Sequence, residues 1–164
     1  MSASQLLKWG GLLLLSIVVQ AGWAQKKGAA KDSARVAAAL NDHRFVFVPQ
    51  QMMPMGGRVR QVTPDYTVKV SGDTLRSYLP YVGRAYSAPI GSTTGPLDFT
   101  TPVTYILATR KKGGWLVTLK PVNSRDIQRY EFTIFDSGSA SLSVTSTNRQ
   151  PISYNGYVQP VGQK

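Results

Sequence analysis

The sequence predicts an α+β domain that is mainly β: a curved antiparallel sheet of about seven or eight strands with one N-terminal helix packed on it. A small β-barrel is the alternative architecture. Three observations carry this reading. Apolar and polar residues alternate over short runs that recur every ~8–12 residues, the spacing of antiparallel strands. Lys111-Lys112-Gly113-Gly114 and Asp136-Ser137-Gly138-Ser139 each separate two such runs and read as hairpin turns. Only Ala34–Leu40 carries a helical pattern. The 164 residues suit one such domain.

Met1–Ala24 read as a cleaved secretory signal. Lys8 and the amino terminus are positive, Leu12–Val19 is apolar apart from Ser16, and Gly22-Trp23-Ala24 supplies small residues before the cut. The apolar run falls short of the about 20 residues a spanning helix needs, and no later segment reaches that length. Cleavage after Ala24 leaves a chain starting at Gln25, with 18 basic against 8 acidic residues, and the expected location is periplasmic or secreted. Residues 25–33 read as a flexible lead-in and 34–160 as the β-rich domain.

Asp32 or Ser33 is placed to cap a helix over Ala34–Leu40, which is rich in good helix formers. Val36, Ala39 and Leu40 fall on one face, so the helix has an apolar stripe to bury. Strands follow: Phe45–Val48, stopping at Pro49; Tyr66–Val70; Thr74–Leu79; Pro102–Arg110; Trp115–Pro121; Gln128–Phe135; Ala140–Thr145; Ile152–Val158. Asn155-Gly156 marks a bulge or tight turn within the last of these. Gln50–Pro64 and Ser87–Pro96 break the alternation and read as loops.

Two segments stand apart from the strand pattern. One is Tyr78-Leu79-Pro80-Tyr81-Val82-Gly83-Arg84-Ala85-Tyr86, the other Asn148-Arg149-Gln150-Pro151-Ile152-Ser153-Tyr154-Asn155-Gly156. With the exported N-terminus and the Phe45–Pro49 strand, they resemble an uncharacterised family of exported bacterial proteins, domain-of-unknown-function 4251. The likeness runs from about Ala34 to Val158. It implies a β-rich single domain in the envelope of mainly Gram-negative bacteria, and it assigns no particular activity. Many such proteins look like lipoproteins. This chain has no cysteine to carry a lipid.

The same segments hold the candidate ligand-binding residues Tyr81, Arg84, Tyr86 and Arg149. A guanidinium framed by phenols can grip a carboxylate, phosphate or sugar through paired donors and ring stacking. The competing reading makes the tyrosines a plug for the end of the sheet and the arginines braces for loop carbonyls. Gly83 reads as a backbone position closed to other residues. If Arg149 approaches Arg84, the pair makes an anion site. If they lie apart, each braces its own loop.

Catalysis has little to work with. The absence of cysteine excludes disulfides, thiolate metal sites and cysteine nucleophiles, and a single histidine excludes a multi-histidine centre. His43 follows the helix and reads as its cap rather than a catalytic base. Glu131 alone among the carboxylates lies mid-strand, and Asp65, Asp73, Asp98, Asp126 and Asp136 fall in turns where Asp is ordinary. Met52, Met53 and Met55 are soft enough for Cu(I), yet methionine is equally a gap filler. Phosphate-loop, dinucleotide and nucleophile-elbow motifs are absent. The expectation is a domain with no cofactor, no metal and no enzymatic activity.

The basic excess favours association with anions or simply keeps the domain soluble. For an exported chain, an anionic envelope component or another envelope protein is a more available partner than nucleic acid. The sequence therefore points to a non-enzymatic binding module, with a structural or protein-interaction domain offering its sheet edges as the alternative. A hydrolase using Glu131 or an aspartate with His43 ranks last.

Overall fold

A computed structural model describes residues 32–86, 95–124 and 126–161. The expected signal at 1–24 and most of the lead-in lie outside the described residues, as do residues 87–94 of the second expected loop. Residues 32–41 form a helix, α1, and nine strands follow: β1 (Arg44–Pro54), β2 (Arg60–Gln61), β3 (Thr67–Ser71), β4 (Thr74–Tyr78), β5 (Asp98–Thr109), β6 (Trp115–Pro121), β7 (Ile127–Ile134), β8 (Ser139–Ser146) and β9 (Ile152–Pro160). All pairings are antiparallel between chain neighbours except two. β1 pairs with β3 past the short β2, and β1 also pairs with β9 over most of its length. That last pairing closes β1 and β3–β9 into an eight-stranded up-and-down barrel, with β2 as an extra strand beside β1.

The alternation read from the sequence is the wall of this barrel. Val68 and Val70, Val117 and Leu119, Tyr130, Phe132 and Ile134, and Leu142 and Val144 point inward and are buried. Their strand neighbours face out, as a two-residue period requires. The interior is filled with side chains rather than left as a lumen. Phe132 makes edge-to-face contacts with Phe45 at 5.7 Å and Phe47 at 5.6 Å between ring centroids.

Helix α1 closes one end. Val36, Ala39 and Leu40 join the core, as their spacing requires. Asp32 is already helical, so Asp32 and Ser33 lie inside the helix rather than before it. His43 takes a left-handed conformation (φ 54°), its N–H reaches the Leu40 carbonyl, and the helix stops there. Its ring stacks on Tyr105 at 3.8 Å, while the Tyr105 hydroxyl donates to the same Leu40 carbonyl.

Two expectations need correction. β1 does not stop at Pro49 but runs on to Pro54, so much of the expected Gln50–Pro64 loop is strand. The ladder with β9 shifts register between Pro49 and Gln51, and the missing N–H of Pro49 points to the other side of β1, past its last pair with β3 at Phe47–Val68, where it costs no bond. Gly156 lies opposite, which places the expected irregularity in the partner strand rather than in β9 itself. Of the three methionines, Met52 is in the core, the Met53 sulfur accepts from Asn155 Nδ2 at 3.7 Å, and Met55 is 65% exposed at the turn toward β2.

Candidate functional site

The two distinctive segments meet at the end of the barrel opposite α1. After β4 the chain turns inward at Leu79, which is buried, and crosses the mouth as residues 80–86. After β8, residues 147–151 run antiparallel to it. Ala85 pairs with Arg149 in an isolated bridge, the Tyr86 N–H donates to the Asn148 carbonyl at 2.7 Å, and the Gln150 N–H donates to the Arg84 carbonyl at 3.1 Å. Gln150 Oε1 accepts from the Arg84 N–H in return. Sequence alone left open whether Arg84 and Arg149 approach each other. Their backbones occupy adjacent lines of this short ladder, and their side chains have different fates.

Arg149 is held in place. Its Nε donates to Asp126 Oδ2 at 2.9 Å, and its guanidinium lies 5.8 Å from the centre of the Tyr81 ring. Asp126 in turn accepts from the Ser146 hydroxyl at 2.7 Å and from the Asn148 N–H at 3.3 Å. Burial alone would raise the Asp126 carboxyl. The Ser146, Arg149 and Asn148 hydrogen bonds and the Arg149 charge outweigh it and hold the group below the ordinary carboxylate range. The sequence placed Asp126 merely in a turn. Its role was available from hairpin register: β7 and β8 pair Ile127 with Ser146, so the residues before β7 and after β8 must lie together.

Tyr81 closes the mouth. Its hydroxyl donates to the Gln150 carbonyl at 3.0 Å, with the Arg84 carbonyl at 3.4 Å. Burial, more than any neighbouring charge, raises its phenol, so it stays a neutral donor. Gly83 lies against this ring: a Cβ there would meet the Tyr81 hydroxyl at 2.5 Å and Cζ at 2.9 Å. Gly83 has no left-handed φ. The glycine is required for space, not for an unusual backbone conformation. Beneath it, the Tyr154 hydroxyl donates to the Pro80 carbonyl at 2.6 Å, and the Ser77 hydroxyl donates to the Leu97 carbonyl at 2.8 Å. With that proton committed, Tyr130 donates to Ser77 at 2.9 Å. Among the described residues no buried side-chain nitrogen or oxygen lacks a partner.

What remains outward is Arg84, which is exposed, and Tyr86, 71% exposed. Of the four candidate residues, two build the mouth and two present themselves on it. A cleft at the same end of the barrel is lined by Phe99, Thr101, Asn123, Ser124 and Asp126, and by none of the four. A larger cleft lies at the α1 end, between the helix and β9, with Asp32, Arg35, Asp42 and Arg44 giving it mixed charge. His43 stands at that α1 end, whereas Glu131 points outward from β7 beside Arg129, 3.9 Å away. Among the described residues no three of His, Asp and Glu converge on one point.

The depressed carboxyl sets a pH dependence. Asp126 binds its proton more weakly folded than unfolded, so it contributes stability above the unfolded value of ~3.9. That contribution is lost as pH falls from there through the lower folded value. Asp126→Asn is expected to cost about 1–2 kcal/mol at neutral pH and to flatten this part of the acid unfolding curve. Urea denaturation between neutral pH and pH ~3 checks both. Parallel curves for the two proteins would refute the assignment.

Comparison with known proteins agrees with this architecture. A crystal structure of a DUF4251 family protein from Bacteroides eggerthii DSM 20697 is similar with a TM-score of 0.57 and 18% identity, covering 80% of this chain and 89% of that one. At that identity the likeness speaks for the fold. None of the curated proteins compared with the chain matches it. The family model for a domain of unknown function, DUF4251, matches residues 27–158, which takes in the whole barrel short of the end of β9 and both mouth segments. The chain belongs to the DUF4251 family.

Proposed function

We propose that the domain is an exported, non-enzymatic binding module of the bacterial cell envelope, gripping an anionic or polar envelope component at the barrel mouth. The observation that carries this is the division of labour between the two arginines. Asp126 neutralises Arg149 and locks the ladder, while Arg84 sits one residue from the Ala85 bridge with its backbone fixed and its exposed guanidinium without a partner among the described residues. Tyr86, held by its N–H to Asn148, offers a ring beside it for stacking. A cation on a fixed backbone loses little freedom when it engages a carboxylate or phosphate. The leader-like Met1–Ala24 supports an envelope location.

A second reading makes the mouth architecture only, and the commitment of Tyr81 and Arg149 to internal bonds favours it. Arg84→Ala separates the two. Residues 25–164 are melted with lipopolysaccharide, anionic phospholipid, peptidoglycan fragments and acidic glycans, at low and high salt. Binding through Arg84 predicts a salt-resistant upward shift that the variant loses, with its own unliganded stability changed by less than about 0.5 kcal/mol. An architectural role predicts no ligand shift and a loss of ~1–3 kcal/mol on substitution.

A further inference from the structure

Closure of the barrel leaves a length of β5 bare. β4 pairs with β5 only from Tyr78–Asp98 to Thr74–Pro102, and the Val103 N–H then reaches the Asp73 carbonyl at the β3–β4 turn. β5 continues to Thr109, paired through Thr109 with β6 on its other side. Among the described residues nothing pairs with the β4 side of Thr104–Thr109. Since the Val103 N–H points to that side, alternation sends the N–H and C=O groups of Tyr105, Leu107 and Thr109 the same way. The segment Thr104-Tyr105-Ile106-Leu107-Ala108-Thr109 is uncharged and β-prone, and Ile106 faces outward, 46% exposed. Natural edges are blunted by charge, proline or a bulge. This one carries none of these.

We infer that this edge is a homodimer interface, in which β5 of a second copy adds antiparallel about a two-fold axis through Leu107. The register follows from the alternation. Leu107 faces its own copy and Tyr105 faces Thr109, so that every edge N–H and C=O finds a partner. Between these pairs Ile106 lies opposite Ala108, a large side chain against a small one on the outer face. Just past Thr109 the chain turns back, with the Gly113 N–H on the Arg110 carbonyl and the Arg110 N–H on the Gly114 carbonyl. The same register therefore brings the Arg110-Lys111-Lys112 tip of each copy against the β3–β4 turn of the other. Asp73 stands there, with no cation within ion-pair distance of its own among the described residues. The positive tip and the acidic turn are complementary only in the antiparallel arrangement. The interface is independent of the Arg84 mouth, which lies at the other end of the barrel.

The chain has no cysteine, so the register can be read by crosslinking. Ile106→Cys and Ala108→Cys are made as separate single variants and mixed under mild oxidation. In a non-hydrogen-bonded cross-strand pair the two Cα atoms are about 4.5 Å apart, within disulfide reach. The expected result is a crosslinked heterodimer from the mixture and little crosslinking of either variant alone. Sedimentation velocity on the unmodified chain is expected to show a dimer that dissociates on dilution through about the micromolar range, as a small interface should. Ile106→Lys, which alters only an outward position, is expected to leave a folded monomer. A chain that stays monomeric at high concentration, crosslinking with no preference for the 106–108 pair, or a dimer indifferent to Ile106→Lys would each overturn the inference.

Discussion

Phe132→Ala is expected to lower the free energy of unfolding by about 3–5 kcal/mol, enough to leave a domain of this size marginal. Phe132 is fully buried in the middle of β7, and its ring packs edge-to-face against both Phe45 and Phe47. Truncation removes the ring's transfer free energy and leaves a cavity the barrel cannot collapse, since its walls are fixed by hydrogen-bonded ladders on both sides of β7. It also strips β1 of the contacts that hold its first half against the interior. Phe132→Leu, which keeps most of the volume, should recover more than half of the loss. Urea midpoints for the three proteins provide the test. An alanine variant losing less than about 1 kcal/mol would mean that the aromatic triad does not organise the core.

Gly156→Val is expected to cost about 3 kcal/mol, through backbone rather than core. A Cβ at this position would run into the Val48 carbonyl and approach Pro49 Cα to 2.9 Å, where β1 and β9 close the barrel. The obstacle is main chain on an 11-residue strand, so it cannot swing aside as a side chain would. Valine is otherwise the better strand former, so propensity alone predicts a gain. The two effects have opposite signs. Measured destabilisation identifies closeness of approach as the winner, and Gly156→Ala should fall between the two because its single methyl meets the same carbonyl. Equal or higher stability for the valine variant would show that the β1–β9 bulge can widen without loss.

The alternation that predicts strands is a local property, and all eight expected strands are present because an inward face of valine, leucine and phenylalanine is written directly into them. The hairpin turns were equally legible, since Gly113, Gly114 and Gly138 all adopt the left-handed conformation their positions imply. Closure was legible only as the alternative to an open, curved sheet. Whether a curved meander stays open or joins its first strand to its last depends on total twist and on whether Val48–Pro54 can pair, and Pro49 argued against that. The proline is tolerated because its missing N–H faces the β3 side beyond the end of the β1–β3 ladder, a fact that exists only when the strands are seen together. The mouth shows the same division. Tyr81, Arg84, Tyr86 and Arg149 were identified by motif, yet the meaning of each depended on Asp126, which lies 23 residues from Arg149 in sequence and 2.9 Å away in space. Edge pairing was expected in general terms. Closure restricts it to a few stretches, of which the longest among the described residues is where β5 outruns β4.

The pairing of Phe45 with Pro160 joins the two ends of the domain, and it fixes the order in which the fold can be completed. Every other long ladder joins neighbouring strands, or β1 to β3 across a short interval, and can form while the chain is still emerging. The closing ladder cannot form until the last strand is made, and it must meet the entropy of the longest loop in the molecule. Until then a nearly complete sheet waits with both of its terminal strands open, the state in which β proteins recruit one another. Folding should therefore be slow for the chain's length. Its vulnerable interval is the time between synthesis of Ser146 and docking of Ile152–Pro160, and a helper that holds the chain then would protect it more than one acting earlier.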